Sequence, residues 1–309
     1  MATPLTQSDT LYNKNTIPLL GLGTWKMSGK EAYESVVAAV KMGYRHIDCA
    51  PVYNNEKQVG DAFQQLFKEG VVKREELFVT SKILNSKNIE EGIRKTLSDL
   101  QLSYLDLYLV HAPASAEPGP TIKPPLIDQW RIMESLHDKG LARSIGVSNF
   151  SNKKLQGILE QCRVKPHVHQ VEAHPNLRND ELLQFNKAQG IHVTAYSPLG
   201  TPDSAEMMKR TPEQPIPLQD PVVLEVAKKM NKTPAQVLLR YGIQRGMSVV
   251  PKSVHPERIK ENTDIFNWSL SEEDFKALHT RPNQVRLCHL SFMLNPEGPF
   301  KTMQDLWDN

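Results

Sequence analysis

Short apolar runs alternate with amphipathic segments along nearly the whole chain. The runs are LLGLGTW (19–25), HIDCA (46–50), LFVTSKI (77–83), YLDLYLVHA (104–112), SIGVSN (144–149), VHQVEAH (168–174), HVTAYSPL (192–199) and MSVVPKS (247–253). Most are bounded by Gly, Pro or charged residues, the form of a strand buried on both faces of a parallel sheet. The segments between them carry helix starts. Asn88 and Ser151 stand as N-caps before IEEGIRKTLSDL and NKKLQGILEQC, and Asp220-Pro221 and Thr233-Pro234 each place a cap before a proline at the first helical position. Ser271 with Asp274 has the spacing of a capping box.

Eight strands alternating with helices predict one α/β domain over 1–309, a (β/α)8 TIM barrel. Extra segments remain: LYNKNTIPLL (11–20), read as an N-terminal β-hairpin turning at Asn13-Lys14-Asn15, the Pro-rich stretches 113–125 and 198–217, and the tail 282–309. The two Pro-rich stretches follow strands four and seven, so they are expected as long loops at the C-terminal face, where barrels carry their sites. A doubly wound sheet would need a glycine fingerprint after its first strand. Gly21-Leu22-Gly23-Thr24-Trp25-Lys26 begins like one, but Lys26 occupies the third glycine's place, so the segment reads as a strand end with a tight turn.

Net charge is +2, which gives no whole-protein reason to expect a nucleic acid or a membrane surface as partner. No apolar run approaches the ~18 residues of a membrane span. The polar MATPLTQSDT start lacks the apolar region of a secretory leader. Three widely spaced cysteines, Cys49, Cys162 and Cys288, do not make a disulfide framework. The expected compartment is therefore the cytoplasm, and the expected state is a monomer.

Polar residues fall repeatedly at the predicted strand ends: Asp48, with Tyr53 just beyond, then Lys82, His111, Ser148 and Asn149, Gln170 and Glu172, Tyr196 and Ser197, and Lys252 and Ser253. Each alone reads equally well as a structural hydrogen bond or a first exposed residue. In a barrel, however, these ends share one rim. Asp48, Tyr53, Lys82 and His111 together form a proton-transfer set. An ammonium near a phenol lowers its pKa, Asp48 can hold Lys82 in place, and Tyr53 then serves as a general acid while His111 orients a carbonyl oxygen. His167, His169 and His174 cluster near strand six, but alternation separates them, so no metal is expected. In VVPKSVHPERIKEN (249–262), Lys252, Ser253, Arg258 and a helix start suit a phosphate monoester or, equally, a basic surface cap.

Three segments carry a family resemblance running from about residue 11 to 290: GYRHIDCAPVYNNEKQVG (43–60), MESLHDKGLARSIGVSNF (133–150) and VVPKSVHPERIKEN, with Lys82 and His111 between them. On these the chain resembles the aldo-keto reductases. The resemblance implies reduction of an aldehyde or ketone to an alcohol with NADPH. Tyr53 would be the proton donor, Lys82 and Asp48 would tune it, and His111 would position a small-molecule carbonyl substrate. It implies Ser148, Asn149 and Gln170 at the nicotinamide carboxamide and Tyr196 against the ring. Gly23, Thr24, Trp25 and Asp48 are expected nearby, and Ser197, Pro198 and Leu199 along the pyrophosphate. Lys252, Ser253, Val254, His255 and Arg258 would surround the 2′-phosphate, with Glu261 and Asn262 at the adenine. Trp25, Tyr53, His111 and Ala112 would face the substrate.

The chain departs from the pattern at three places. Ala112 follows the histidine where many relatives carry tryptophan, Leu84 stands where an aromatic is common, and His255 replaces a small hydroxyl residue. The first two predict a wider, less aromatic pocket. Two other functions fit parts of the sequence: a dinucleotide-binding protein without turnover, and a barrel hydrolase or isomerase using Asp48 and Glu172 as a carboxylate pair.

Overall fold

The computed structural model describes residues 7–84 and 88–308. Most of the start on which the leader expectation rests, residues 1–6, lies outside the described residues. The hairpin is present and turns through Asn13-Lys14-Asn15 as expected, but its first strand lies earlier, β1 (Ser8–Thr10) pairing antiparallel with β2 (Thr16–Pro18). The reason is packing: Leu11 and Ile17 are buried with Phe78, Leu107, Leu109 and Val168. Asn13 and Asn15 both donate to the Ser144 hydroxyl at 3.1 Å. The hairpin thus plugs the floor of the barrel.

Eight parallel strands follow in sequence order: β3 (Leu22–Gly23), β4 (His46–Asp48), β5 (Phe78–Ile83), β6 (Leu105–Val110), β7 (Ala142–Ser148), β8 (Val168–Glu172), β9 (His192–Tyr196) and β10 (Met247–Val250). The first and last edges meet through a parallel bridge, Leu20 to Val249, with amide bonds from Gly21 to Val249 at 2.9 Å and from Gly23 to Pro251 at 2.9 Å. That closes the (β/α)8 barrel expected from the sequence. Gly146 marks its tightest crossing: a Cβ there would sit 2.2 Å from the Val168 carbonyl oxygen, so only glycine fits.

The helices are α1 (Gly29–Lys41), α2 (Glu56–Lys68), α3 (Ile89–Leu100), α4 (Leu126–Asp138), α5 (Asn152–Leu159), α6 (Asp180–Ala188), α7 (Pro221–Met230), α8 (Pro234–Gln244), α9 (Pro256–Glu261), α10 (Glu272–His279) and α11 (Met303–Trp307). In α1, Ala32, Ser35, Val36, Ala39 and Val40 are buried, a three-four spacing that lays one stripe on the sheet. Each fully buried valine or leucine of such a stripe contributes ~1.5–3 kcal/mol. The caps at Asn88, Ser151, Asp220 and Thr233 form as read. Ser271 caps α10, but only half the box closes. The Asp274 carboxylate takes the Ser271 hydroxyl at 2.7 Å instead of its amide.

The 113–125 stretch is the expected loop between β6 and α4, but none of its residues is among those lining the cavity at the barrel mouth. It folds around the Ser115 hydroxyl, which accepts the Lys123 amide at 3.0 Å, and Ile122 packs on Phe300, Leu306 and Trp307 of the tail. The tail itself turns back over the mouth instead.

One buried acid lies outside the barrel wall. Glu56, 4% exposed at the start of α2, accepts from Ser81 at 2.6 Å and Thr96 at 3.1 Å. Burial raises its carboxyl to about 7, against the pull of those two hydroxyls. A raised folded-state value means that stability is full below the unfolded carboxyl's titration and falls as pH rises through about 7. Glu56→Gln, which keeps the shape without the charge, is expected to be more stable than the native chain above neutrality by roughly 3 kcal/mol and equal to it in mild acid. Urea unfolding at both pH values measures this. An equal effect at both would remove the titration from the explanation.

Candidate active site

The mouth of the barrel opens into a cavity of about 1020 Å³. At its centre, β4 ends on Asp48 and β5 carries Lys82, two residues short of Leu84. Strand alternation turns both side chains inward. Lys82 is fully buried, and its ammonium has three donors and three acceptors: Asp48 Oδ2 at 2.6 Å, the Cys49 carbonyl at 2.8 Å and the Tyr53 hydroxyl at 3.3 Å. Asp48 Oδ1 accepts from Gln170 Nε2 at 2.7 Å, so both carboxylate oxygens are held. The tight turn Pro51–Tyr53, closed by Asn54 in the left-handed region, swings the Tyr53 ring back over the ammonium. His111 lies edge-on to Tyr53, with ring centroids 5.9 Å apart.

The electrostatics refine the sequence reading. Lys82 does pull the Tyr53 phenol down, but burial outweighs it and the hydroxyl is pushed up to about 12. Tyr53 is therefore firmly protonated at neutral pH, the state a proton donor needs. Burial disfavours charge on Lys82, yet the contacts with Asp48 and Tyr53 win and hold its ammonium above the ordinary lysine range. Burial, with help from Lys82, keeps His111 well below the ordinary histidine value, hence neutral. A neutral imidazole beside a neutral phenol offers hydrogen bonds to a carbonyl oxygen without a fixed charge.

Around this centre lie most of the other expected residues. Asn149 sits at φ +62°, a conformation asparagine tolerates better than most residues. Its amide donates to the His111 carbonyl at 2.9 Å and to Ser148 Oγ at 3.1 Å, and its Oδ1 accepts from the Tyr196 hydroxyl at 2.7 Å. The Tyr196 ring is thereby tethered against the cavity. Gly23, Trp25, Ala112, Gln170, Ser197, Pro198, Leu199, Lys252, Ser253, Val254, His255, Arg258, Glu261 and Asn262 also line it. Thr24, Lys82 and Ser148 do not. Thr24 is buried and its hydroxyl donates to the Asp48 carbonyl at 2.9 Å. Ser148 is buried behind Asn149.

Glu172 is also buried. Its oxygens accept from His174 at 2.9 Å and from the amides of Leu287 at 2.9 Å and Cys288 at 2.8 Å. A carboxylate so engaged cannot work as the partner of Asp48, which removes the basis of the hydrolase alternative. His167 and His169 are bonded to Ile145 and Asn186, and the described residues contain no cluster suited to a metal.

At the far end, Lys252, Ser253, His255 and Arg258 give the cavity a basic wall, and Arg258 makes no ion pair among the described residues. Helix α9 has only six residues, so side-chain charge rather than a helix dipole makes this wall attractive to anions. Across the cleft, Asp203 accepts from Lys252 at 2.9 Å, and its backbone carbonyl accepts from Lys26. The 198–217 loop was expected at this face, but the Asp203 contacts that pin it across the cleft were not read from the sequence. Val52, Met207, Met208 and the tail residues Cys288 to Phe292 were not read as site residues, yet they also line the cavity. Phe292, 69% exposed, returns some of the aromatic surface that Ala112 and Leu84 lack.

Comparison with known proteins agrees with this geometry. Residues 19–280 match the model of the Aldo/keto reductase family. The chain is 44% identical over 304 residues to aldo-keto reductase family 4 member C11 of Arabidopsis thaliana, covering 94% of each chain. It is 46% identical to aldo-keto reductase family 1 member A1 of Gallus gallus over 85% of each. Among solved structures, the aldose reductase of Schistosoma japonicum superposes with a TM-score of 0.85 at 40% identity, over 96% of this chain and 99% of that one.

Proposed function

The chain belongs to the aldo-keto reductase family, oxidoreductases acting on carbonyl compounds, and from that premise we propose that it reduces aldehydes or ketones to alcohols with NADPH, Tyr53 giving the proton. The observation that carries the reading is the fully engaged Lys82 ammonium between Asp48 and the Tyr53 hydroxyl. When bound, the dinucleotide supplies the hydride. The chain's own residues do the rest. Tyr53 and His111 hold the carbonyl oxygen, and the Tyr53 hydroxyl proton passes to that oxygen as the alcohol forms. Lys82 stabilises the phenolate left behind, and Asp48 keeps Lys82 charged and in place.

The donor set fits a phosphorylated dinucleotide. Lys252, Ser253 and Arg258 would grip the 2′-phosphate. The Asn149 Oδ1, whose second lone pair is free, and Gln170 would hold the carboxamide, and the tethered Tyr196 ring would face the nicotinamide. Three free cysteines suit a reducing compartment, and the cytoplasm is the compartment we propose.

Arg258→Met separates this reading from a purely structural basic wall. NADPH affinity should fall about 10- to 100-fold, the range for one hydrogen bond to a charged group, while NADH affinity stays within about twofold. Nucleotide titration followed by protein fluorescence measures both. Equal losses for the two nucleotides would remove Arg258 from the 2′-phosphate. Turnover with a panel of aromatic aldehydes, aldoses and bulky ketones then sizes the pocket. Tight NADPH binding with no turnover of any carbonyl would favour the non-catalytic binding reading.

A further inference from the structure

The tail segment that lines the cavity and the strap over its mouth come from distant parts of the chain, yet His289 joins them midway along the strap. The strap, residues 198–217, leaves β9, reaches Lys26 and Lys252 through Asp203, and then places Met207 and Met208 on the cavity. The tail comes from the other side. Its root is fixed by Glu172, which accepts the Leu287 and Cys288 amides, and the next residues, His289 to Phe292, line the same cavity. His289 Nε2 donates to the Met208 carbonyl at 2.8 Å, while its Nδ1 accepts the Ser291 amide at 3.2 Å. Both bonds call for the same neutral tautomer, with the proton on Nε2, so the ring satisfies both at once. Near the strap's root, the tail's Cys288 thiol contacts the Ser197 hydroxyl at 3.5 Å and bonds Thr201, and Gly200 lies close to Leu287. Such contacts do not hold Met208, eight residues further along. The His289 bond reaches that middle section.

We propose that His289 is a positioning residue that bolts the substrate-pocket wall to the strap, so that retaining the dinucleotide and shaping the carbonyl pocket are energetically coupled. This rests on the NADPH reading of the site. The bond has two consequences. Closing the strap through Asp203 draws the tail segment into its pocket-lining position. By linkage, a ligand that packs against the tail segment must favour the closed strap and tighten dinucleotide binding by the same factor, a gain that falls mostly on slower release.

The test uses the full chain and two probes, NADPH and 2-naphthalenemethanol, a bulky aryl alcohol of the product class. NADPH release is timed by stopped-flow fluorescence with and without saturating alcohol, for the native chain, His289→Ala and His289→Gln. In the native chain the alcohol should slow release about fivefold, the factor that one neutral hydrogen bond commands. In His289→Ala the alcohol should leave release unchanged. In His289→Gln, whose amide can donate to Met208 and accept from Ser291, the slowing should return. A merely structural role would change stability or both release rates alike, and would not remove the alcohol's effect selectively. Equal slowing in all three proteins, or none in the native chain, overturns the proposal. Loss of slowing in both variants also overturns it, because the effect would then belong to the ring and not to its hydrogen bonds. A native chain that binds no NADPH would instead overturn the reading of the site on which this one rests.

Discussion

Tyr53→Phe should lower carbonyl turnover by about three orders of magnitude, within the range that a positioned general acid contributes, and leave NADPH affinity within about twofold. The substitution removes one oxygen, whose bond with Lys82 is the longest of the three that Lys82 makes, 3.3 Å against 2.6 and 2.8 Å. Lys82 keeps Asp48 and the Cys49 carbonyl, so the site should hold its shape. The ring, edge-on to His111, remains. Because burial pushes the native phenol up to about 12, the acid stays protonated throughout the neutral range. Its ionisation should therefore cost no activity there. Steady-state rates with an aromatic aldehyde, beside an NADPH titration, measure both halves. Native turnover in the variant would mean that another group gives the proton.

Lys82→Met should cost both stability and activity, for separable reasons. Methionine fills much of the space, but it leaves the buried Asp48 carboxylate with Gln170 as its remaining side-chain partner. Breaking a buried pair on one side typically costs ~3–5 kcal/mol, because the remaining charge is uncompensated. Adding Asp48→Asn removes that charge and should recover most of the stability. It should not recover turnover, since nothing then stabilises the Tyr53 phenolate. Urea unfolding and turnover of the native, single and double variants make the comparison. Recovery of activity together with stability would show that the pair serves only the fold.

Much of this architecture was legible in the sequence because the signals are local. Eight apolar runs with capped helices between them specify a barrel, and Asp48, Lys82 and His111 are recognisable as polar residues at the ends of such runs. Long-range contacts were harder to read. The hairpin's turn was legible, but its first strand lies before Leu11 because Leu11 packs into the barrel floor beside Ile17, which no local pattern reveals. The 113–125 stretch had a loop's composition and an active-site loop's position, but Ile122 found the tail cluster instead. Gln170 was read only as a cofactor ligand, and its amide nitrogen also holds Asp48, 122 residues away, which no local pattern shows. Glu172 looked available for chemistry until the backbone of Leu287 and Cys288 was seen to occupy it. Residue type and strand-end position locate a site. Which of its polar atoms remain free depends on where the tail comes to rest.

In the proposed reaction, a nicotinamide dinucleotide held in this cavity delivers hydride to a carbonyl lying against Tyr53 and His111. The most direct test is a single turnover of the protein with NADPH deuterated at the transferring position and 4-nitrobenzaldehyde, with the product alcohol analysed by mass spectrometry. One deuterium is expected on the former carbonyl carbon from the native chain, and almost no alcohol from Tyr53→Phe in the same time. Bound NADPH whose nicotinamide absorbance persists, with the aldehyde recovered unchanged, would contradict it.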